Sequence, residues 1–120
     1  MVQRGTALVA HVDGRPQEIV GFAATGAWHS YEGYARTVED SIYLSPAVQG
    51  HGLGSRLLAT LIEASRAAGD RTMIALIEAG NMASARLHER YGFTIVGTVP
   101  QAGEKLGQLL DLTLMSRSLH

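Results

Sequence analysis

The stretch Ser45–Leu58, "SPAVQGHGLGSRLL", sets glycines at 50, 52 and 54 between an apolar, strand-like run and an amphipathic helix. Glycine is costly in regular structure and useful where backbone turns sharply or something must approach it closely. A helix start offers free N–H groups and a dipole that favours an anion. Residues Gly50 to Ser55 would present those groups with little side chain in the way. A tight strand-to-helix turn that uses glycine for geometry alone leaves the same trace, because a short G-x-G match is weak.

Upstream of the loop, "VEDSIYLS" (38–45) has the pattern of a strand that stops at Pro46. "TALVAHV" (6–12) and "EIVGFAATGAW" (18–28) form a predicted hairpin through the turn chemistry of "DGRP". Gly21 and Gly26 inside its second strand imply a bulge or a close neighbour. "HSYEGYART" (29–37) is a polar, aromatic loop.

Downstream, "GSRLLATLIEASRAAG" (54–69) spaces Leu57, Leu58, Leu61, Ile62 and Ser65 along one helical face that Leu53 extends, with Gly69 placed for the stop. "RTMIALIE" (71–78) is a continuous apolar run, as expected of a strand covered on both faces. Asn81 opens a second helix, "MASARLHERY" (82–91), which Gly92 ends. "FTIVGTV" (93–99) and "QLLDLTLMS" (108–116) are two last strands separated by a long loop. The order β-β-β-α-β-α-β-β predicts an α/β fold, a mixed sheet with flanking helices.

A chain of 120 residues suits one domain, here 1–120, with one core. Apolar residues at 46% and charged residues at 18% mark it as globular. The formal charge of −1 comes from interspersed acids and bases, which leaves no footprint for nucleic acid or an anionic membrane. No apolar run approaches the ~20 residues of a membrane span, and the start lacks a signal peptide's apolar region. Cysteine is absent, which excludes disulfides, thiolate metal sites and a cysteine nucleophile, and fits a cytoplasmic setting. His11, His29, His51 and His120 have no metal-ligand spacing, so no metal is expected.

The loop does not match the common phosphate motifs. A P-loop needs Lys and Ser/Thr after its last glycine, and Arg56 does not supply that pattern. A dinucleotide fingerprint needs G-x-G-x-x-G directly after its strand, with an acid ending the next strand. Glu78 does end the next strand, but the glycines run G-x-G-x-G and "PAVQ" separates them from the strand. A Rossmann-like nucleotide binder is therefore the weakest alternative.

Gln49-x-x-Gly52-x-Gly54 resembles the pyrophosphate loop of the GNAT superfamily of acyl-CoA-dependent N-acetyltransferases. "NMASARLHERYGF" (81–93) is similar to that superfamily's second helical element. "TVEDSIYLSPAVQGHGLGSRLL", "LHERYGF" and "GTVPQAGEKLGQLLDL" look like the phosphinothricin and methionine sulfoximine acetyltransferase branch. The resemblance spans roughly residues 7 to 117. It implies a GNAT-like mixed sheet and acetyl transfer from acetyl-CoA to the amine of a small, perhaps amino-acid-like acceptor. Members of this branch carry a further strand and two helices before the strand matched by "TALVAHV". This chain starts without them, as a truncated relative or a short variant would.

The resemblance also implies roles. Pantetheine would pair with the backbone of Ile42, Tyr43 and Leu44, and the pyrophosphate would lie on Gly50, His51, Gly52, Leu53, Gly54 and Ser55. Asn81 would hydrogen-bond pantetheine, cap its helix, or do both, with Ser84 a weaker candidate. Glu39 stands where the branch has its catalytic glutamate and could take the amine proton directly or through water. Asp40 is its local competitor, pointing to the opposite face because strand side chains alternate. His88 stands at the branch's histidine, a residue suited to proton transfer near neutral pH. Leu87 and Tyr91 would face the core, leaving His88 on an adjoining edge toward the cleft. Ala27, Trp28, His29, Glu39, Asp40 and Ser41 are the candidate acceptor contacts.

The acceptor half departs from the branch. His29 replaces an arginine, Arg36 comes one place late, and Gln108-Leu109 replaces an Arg-Trp pair. These changes remove or move cations that could hold a carboxylate bidentately. They keep open the alternative of a catalytically weak or inactive acyl-CoA-binding module. An unpaired first strand invites pairing with another chain, and the branch is usually dimeric, so a homodimer or higher oligomer is expected.

Overall fold

In the computed structural model, residues 5–29 and 32–120 are described. Six strands and two helices follow one another as β1 (Ala7–Val12), β2 (Arg15–Ala27), β3 (Thr37–Leu44), α1 (Leu53–Ala67), β4 (Thr72–Glu78), α2 (Met82–Arg90), β5 (Thr94–Lys105) and β6 (Gln108–Ser118). The element order matches the sequence reading. The strands form one sheet in the order β1-β2-β3-β4-β6-β5. Among the described residues only the β3–β4 contact is parallel; the other ladders are antiparallel.

Asp13-Gly14 closes the first hairpin, with Gly14 at φ 75°, the residue pair that such two-residue turns favour. β2 begins three residues before the predicted "EIVGF" start, at Arg15. The expected loop after it contains a short 3₁₀ turn at Glu32–Tyr34, and its residues 30 and 31 lie outside the described residues.

Alternate residues of β3 and β4 turn toward the helices. Val38, Met73, Ala75, Ile77 and Met115 form the sheet side of the core, and Leu57, Leu58, Leu61 and Ile62 of α1 pack onto it. Fully burying such side chains favours folding by about 1.5–3 kcal/mol each. The β4 run was expected to be covered on both faces. It is instead half-open: Ile74 is half-buried and Leu76 exposed, because no helix of the described chain lies on that outer side.

The predicted long loop between the last two strands is replaced by strand. β5 continues to Lys105 and turns through Leu106 and Gly107, both at positive φ, into Gln108. Pro100 and Gly103 mimic a loop in sequence, but β5 is a sheet edge, where proline and a register shift are tolerated. The register shifts between Ile95 and Gly97 and again between Val99 and Gly103, where Asp111 accepts the Gln101 N–H at 3.0 Å.

Candidate active site

The three glycines do different things. Gly50 and Gly52 have φ of 84° and 79°, a left-handed backbone that a β-carbon would strain. Gly54 lies inside α1, buried, where an added β-carbon would stand 3.4 Å from Leu44 and 3.5 Å from Leu87. Two glycines turn the chain and the third lets α1 settle against β3 and α2. Gly52 is the N-cap of α1, and no side chain caps the helix. The first amide to find a helical acceptor is that of Arg56, on the Gly52 carbonyl at 3.2 Å. The turns before it stand at the positive end of a 15-residue helix.

Beside this helix start the sheet divides. The β3–β4 ladder pairs Thr37, Val38 and Glu39 with Thr72, Met73 and Ile74 and then stops, while β3 runs on to Leu44 and β4 to Glu78. Trp28 N–H bonds the Thr37 carbonyl and Ser45 N–H bonds the Val20 carbonyl. Odd-numbered β3 residues therefore turn their backbone toward β2, and even-numbered ones toward the split. Asp40, Ile42 and Leu44 line the split with backbone groups. Tyr43, expected to do the same, points its backbone at β2. The Leu44 carbonyl already accepts from the Gln49 side chain at 3.3 Å.

Side chains of β3 alternate across the same plane. Glu39, Ser41 and Tyr43 share the outer face, and Val38 and Asp40 the helix face. Glu39 is half-buried; its burial first, and the charge of Asp40 second, push its carboxyl above the ordinary value. Its cross-strand partner is Gly26, where a β-carbon would meet nothing within 4 Å among the described residues. Ala24 faces Ser41 next along the ladder, and beyond it Phe22 stacks on Tyr43 with ring centroids 5.8 Å apart. Small residues thus floor a shallow trough beside the Glu39 carboxylate, with an aromatic pair at one end. Sequence reasoning missed Gly26, expecting a bulge or close neighbour. Gly21 fits that expectation, since an added β-carbon would stand 3.0 Å from both Leu44 and Tyr43, but Gly26 sits in regular ladder and leaves space.

His88 is not at the cleft edge of α2; it is buried, 3% exposed. Helical spacing ranks neighbours on one element but says nothing of a strand 48 residues away. The ring lies edge-on against Phe93, its Nε2 is 2.9 Å and 3.2 Å from the Asp40 carboxylate oxygens, and its Nδ1 is 2.8 Å from the Ser84 carbonyl. Burial alone would lower the affinity of the imidazole for a proton; Asp40 and the Ser84 carbonyl outweigh it and hold His88 above its ordinary value. Asp40, a candidate acceptor contact, is committed to His88 on the helix side, away from the Glu39 trough.

The remaining candidates are dispersed. Asn81 caps α2, its Oδ1 accepting the Ser84 N–H at 3.2 Å. Ala27 is at the end of β2, Trp28 is half-buried, and exposed His29 packs its ring against Tyr34. Arg36 is turned to structure, donating to the Gly69 carbonyl at 2.7 Å.

Comparison with known proteins agrees with the fold. The acetyltransferase (GNAT) family matches residues 2–93. An L-methionine sulfoximine/L-methionine sulfone acetyltransferase of Pseudomonas paraeruginosa is 49% identical over 102 residues, covering 85% of this chain and 59% of its own length. A phosphinothricin N-acetyltransferase of Streptomyces coelicolor is 39% identical over 89% of this chain and 63% of its own. The structure of yncA from Salmonella typhimurium, solved with its cofactor acetyl-CoA, superposes with a TM-score of 0.89 at 45% identity, over 95% of this chain and 64% of that one. This chain thus spans about three fifths of the relatives' length. It belongs to the GNAT acetyltransferase family, which removes the Rossmann alternative.

Proposed function

We propose that this GNAT domain transfers an acetyl group from acetyl-CoA to the amine of a small, amino-acid-like acceptor. The observation that carries the reading is the split between β3 and β4, which runs into the uncapped start of α1 and has Glu39 at its head. The backbone of Ile42 and Leu44 pairs with the pantetheine arm, and Gly50, His51, Gly52, Leu53, Gly54 and Ser55 hold the pyrophosphate on N–H groups fixed before it arrives. The acceptor lies in the trough over Gly26, near Ala27, Trp28, His29 and Ser41. Asparagine 81 adds its amide donor, and Ser84 stands beside it.

In this reading Glu39 takes a proton from the amine nitrogen as that nitrogen bonds to the thioester carbon. The carbon–sulfur bond then breaks, its electron pair goes to sulfur, and His88 supplies the proton that makes the thiol. A carboxyl held above its ordinary value is a better base for this work than a solvated one. The relatives' names, an acetyltransferase for methionine sulfoximine and sulfone and another for phosphinothricin, support an acceptor with an α-amino acid head. They favour an enzyme over the non-catalytic module. The chain also acts, in this reading, as a cytoplasmic homodimer joined near β1, one of the two edges of the described sheet, whose Val9 is 56% exposed. A stable monomer in light scattering removes that part. Among the described residues no helix is long and apolar enough to cross a membrane.

The test is thiol release from acetyl-CoA with methionine sulfone, methionine sulfoximine, phosphinothricin and ordinary amino acids. Acceptor-dependent release is expected, and Glu39→Gln should lower turnover by ~10²–10⁴-fold with acetyl-CoA affinity unchanged. Tight acetyl-CoA binding without release for any acceptor returns the binding-module reading.

A further inference from the structure

Both ring nitrogens of His88 face groups that accept hydrogen bonds. The Ser84 carbonyl, 2.8 Å from Nδ1, has no proton to give, so Nδ1 carries one. The Asp40 carboxylate, 2.9 Å from Nε2, shares a second proton with the ring. The carboxylate oxygens can only accept, so Nε2 is the donor of that contact, and Asp40 with the Ser84 carbonyl holds the ring above its ordinary affinity for a proton despite burial. The pair is almost wholly out of water, with side chains 4% and 5% exposed, so the charges see each other at short range. Asp40 is also the first β3 residue beyond the last β3–β4 pair, so the pair ties α2 to β3 where the strands part.

We propose that Asp40 is a positioning residue that holds His88 as a doubly protonated imidazolium beneath the head of the split, so that the ring enters each cycle already carrying the proton it gives to sulfur. The inference rests on the acetyl-transfer reading above. Atoms balance simply: one N–H proton passes to the departing thiolate, the ring is left neutral, and water restores the proton afterwards. Ser84 Oγ also stands 3.4 Å from Nδ1, on a less buried residue.

The surroundings leave Asp40 as the charge that matters. From α1 the buried groups are apolar apart from Ser65, whose hydroxyl donates to buried Asp70, and β4 presents Met73, Ala75 and Ile77. Phe93 presents an aromatic ring. On α2, Arg86, Glu89 and Arg90 are exposed, and Tyr91 is half-buried. From β6, Arg117 is spent on the Tyr91 carbonyl. Glu39 is adjacent in sequence but on the opposite face of β3.

Two readouts test this, one of them independent of catalysis. In wild-type protein, nitrogen-15 NMR of the His88 ring should show both nitrogens protonated at neutral pH, with a midpoint above that of an exposed histidine. In Asp40→Asn the midpoint should fall by one pH unit or more, and Asp40→Glu should restore part of it. In turnover, the alkaline limb should move down by the same interval, so that the loss of kcat is about tenfold greater near pH 8 than near pH 6. A wild-type ring that titrates at or below the ordinary histidine value overturns the proposal even if no variant folds. So does an Asp40→Asn ring with an unmoved midpoint. An absence of turnover in wild type with the NMR shift intact would instead fault the acetyl-transfer reading and leave the charged pair standing.

Discussion

Helix α2 closes its own N-terminus, the Asn81 side chain accepting the Ser84 N–H, whereas α1 starts at Gly52, which has no side chain to offer and is followed by no acid in the first turn. The lengths make the contrast sharper. The nine-residue helix carries the cap, and the fifteen-residue helix, with the larger set of aligned peptide dipoles, goes without. α1 can go without because Leu57, Leu58, Leu61 and Ile62 anchor it to the sheet; only His88 of α2 is fully buried. Stability of the long helix comes from its buried face, so its open end is left for another purpose. An anion at the start of α1 is the purpose most consistent with the neighbouring split.

The largest effect should come from filling that end. Acetyl-CoA at about a hundred times its dissociation constant should stabilise the fold by ~2.7 kcal/mol. Gly52→Val should remove most of this, and should itself cost roughly 1–2 kcal/mol because valine resists the left-handed backbone at φ 79°. Thermal melts with and without ligand measure both. An undiminished acetyl-CoA shift in Gly52→Val would mean that the ligand does not use the uncapped end, and the contrast between the helices would then be structural only.

A middle-sized effect belongs to the capped end. Asn81→Ala should lower stability by about 1 kcal/mol, read as a lower urea midpoint at unchanged slope. Asn81→Asp separates the cap from any contact with the cofactor. Its carboxylate still accepts the Ser84 N–H, so stability should stay within a few tenths of a kcal/mol, but it lacks the amide donor. If the amide also serves pantetheine, acetyl-CoA should bind Asn81→Asp more weakly by about 0.5–1.5 kcal/mol, the worth of one hydrogen bond. Equal binding by both proteins assigns Asn81 to the helix alone.

The two helix starts also show what a sequence discloses. Gly50-x-Gly52 and Asn81-x-x-Ser84 are local, so turn, cap and helix could be read from neighbours in the chain. The order of the elements followed for the same reason, from runs of apolar residues at fixed periods. The β5–β6 hairpin was hidden because Leu106 occupies a left-handed position where asparagine, aspartate or glycine is usual, and "PQAG" carries loop residues inside an edge strand. The alternation of β3 put Glu39 and Asp40 on opposite faces in advance. It could not supply the partner of Asp40, since that contact depends on where α2 lands. The Gly26 space was hidden too, because its meaning depends on the cross-strand register that sets it opposite Glu39.

The smallest effect concerns the other end of α2, where His88 sits in the last turn and its charge also complements the negative pole of the helix. Its folded affinity for a proton is raised above the unfolded value. The stability it contributes is therefore fully present below the ordinary histidine value of about 6.5 and is lost as pH rises through the higher folded value. Glu39 is also raised, so its contribution is present below the ordinary carboxylate value and lost as pH climbs through its own folded one. Two declines with rising pH should follow, the acidic one from Glu39 and the one above pH 6.5 from His88. Melting temperature measured from pH 4 to 9 at constant ionic strength shows them, and variants assign them. Glu39→Gln should erase the acidic step and leave the upper one. Asp40→Asn should flatten the upper step, because the ring then gains little by being charged when buried. An upper step that survives Asp40→Asn at full size would place its origin elsewhere in the chain, and the last turn of α2 would then hold a neutral histidine.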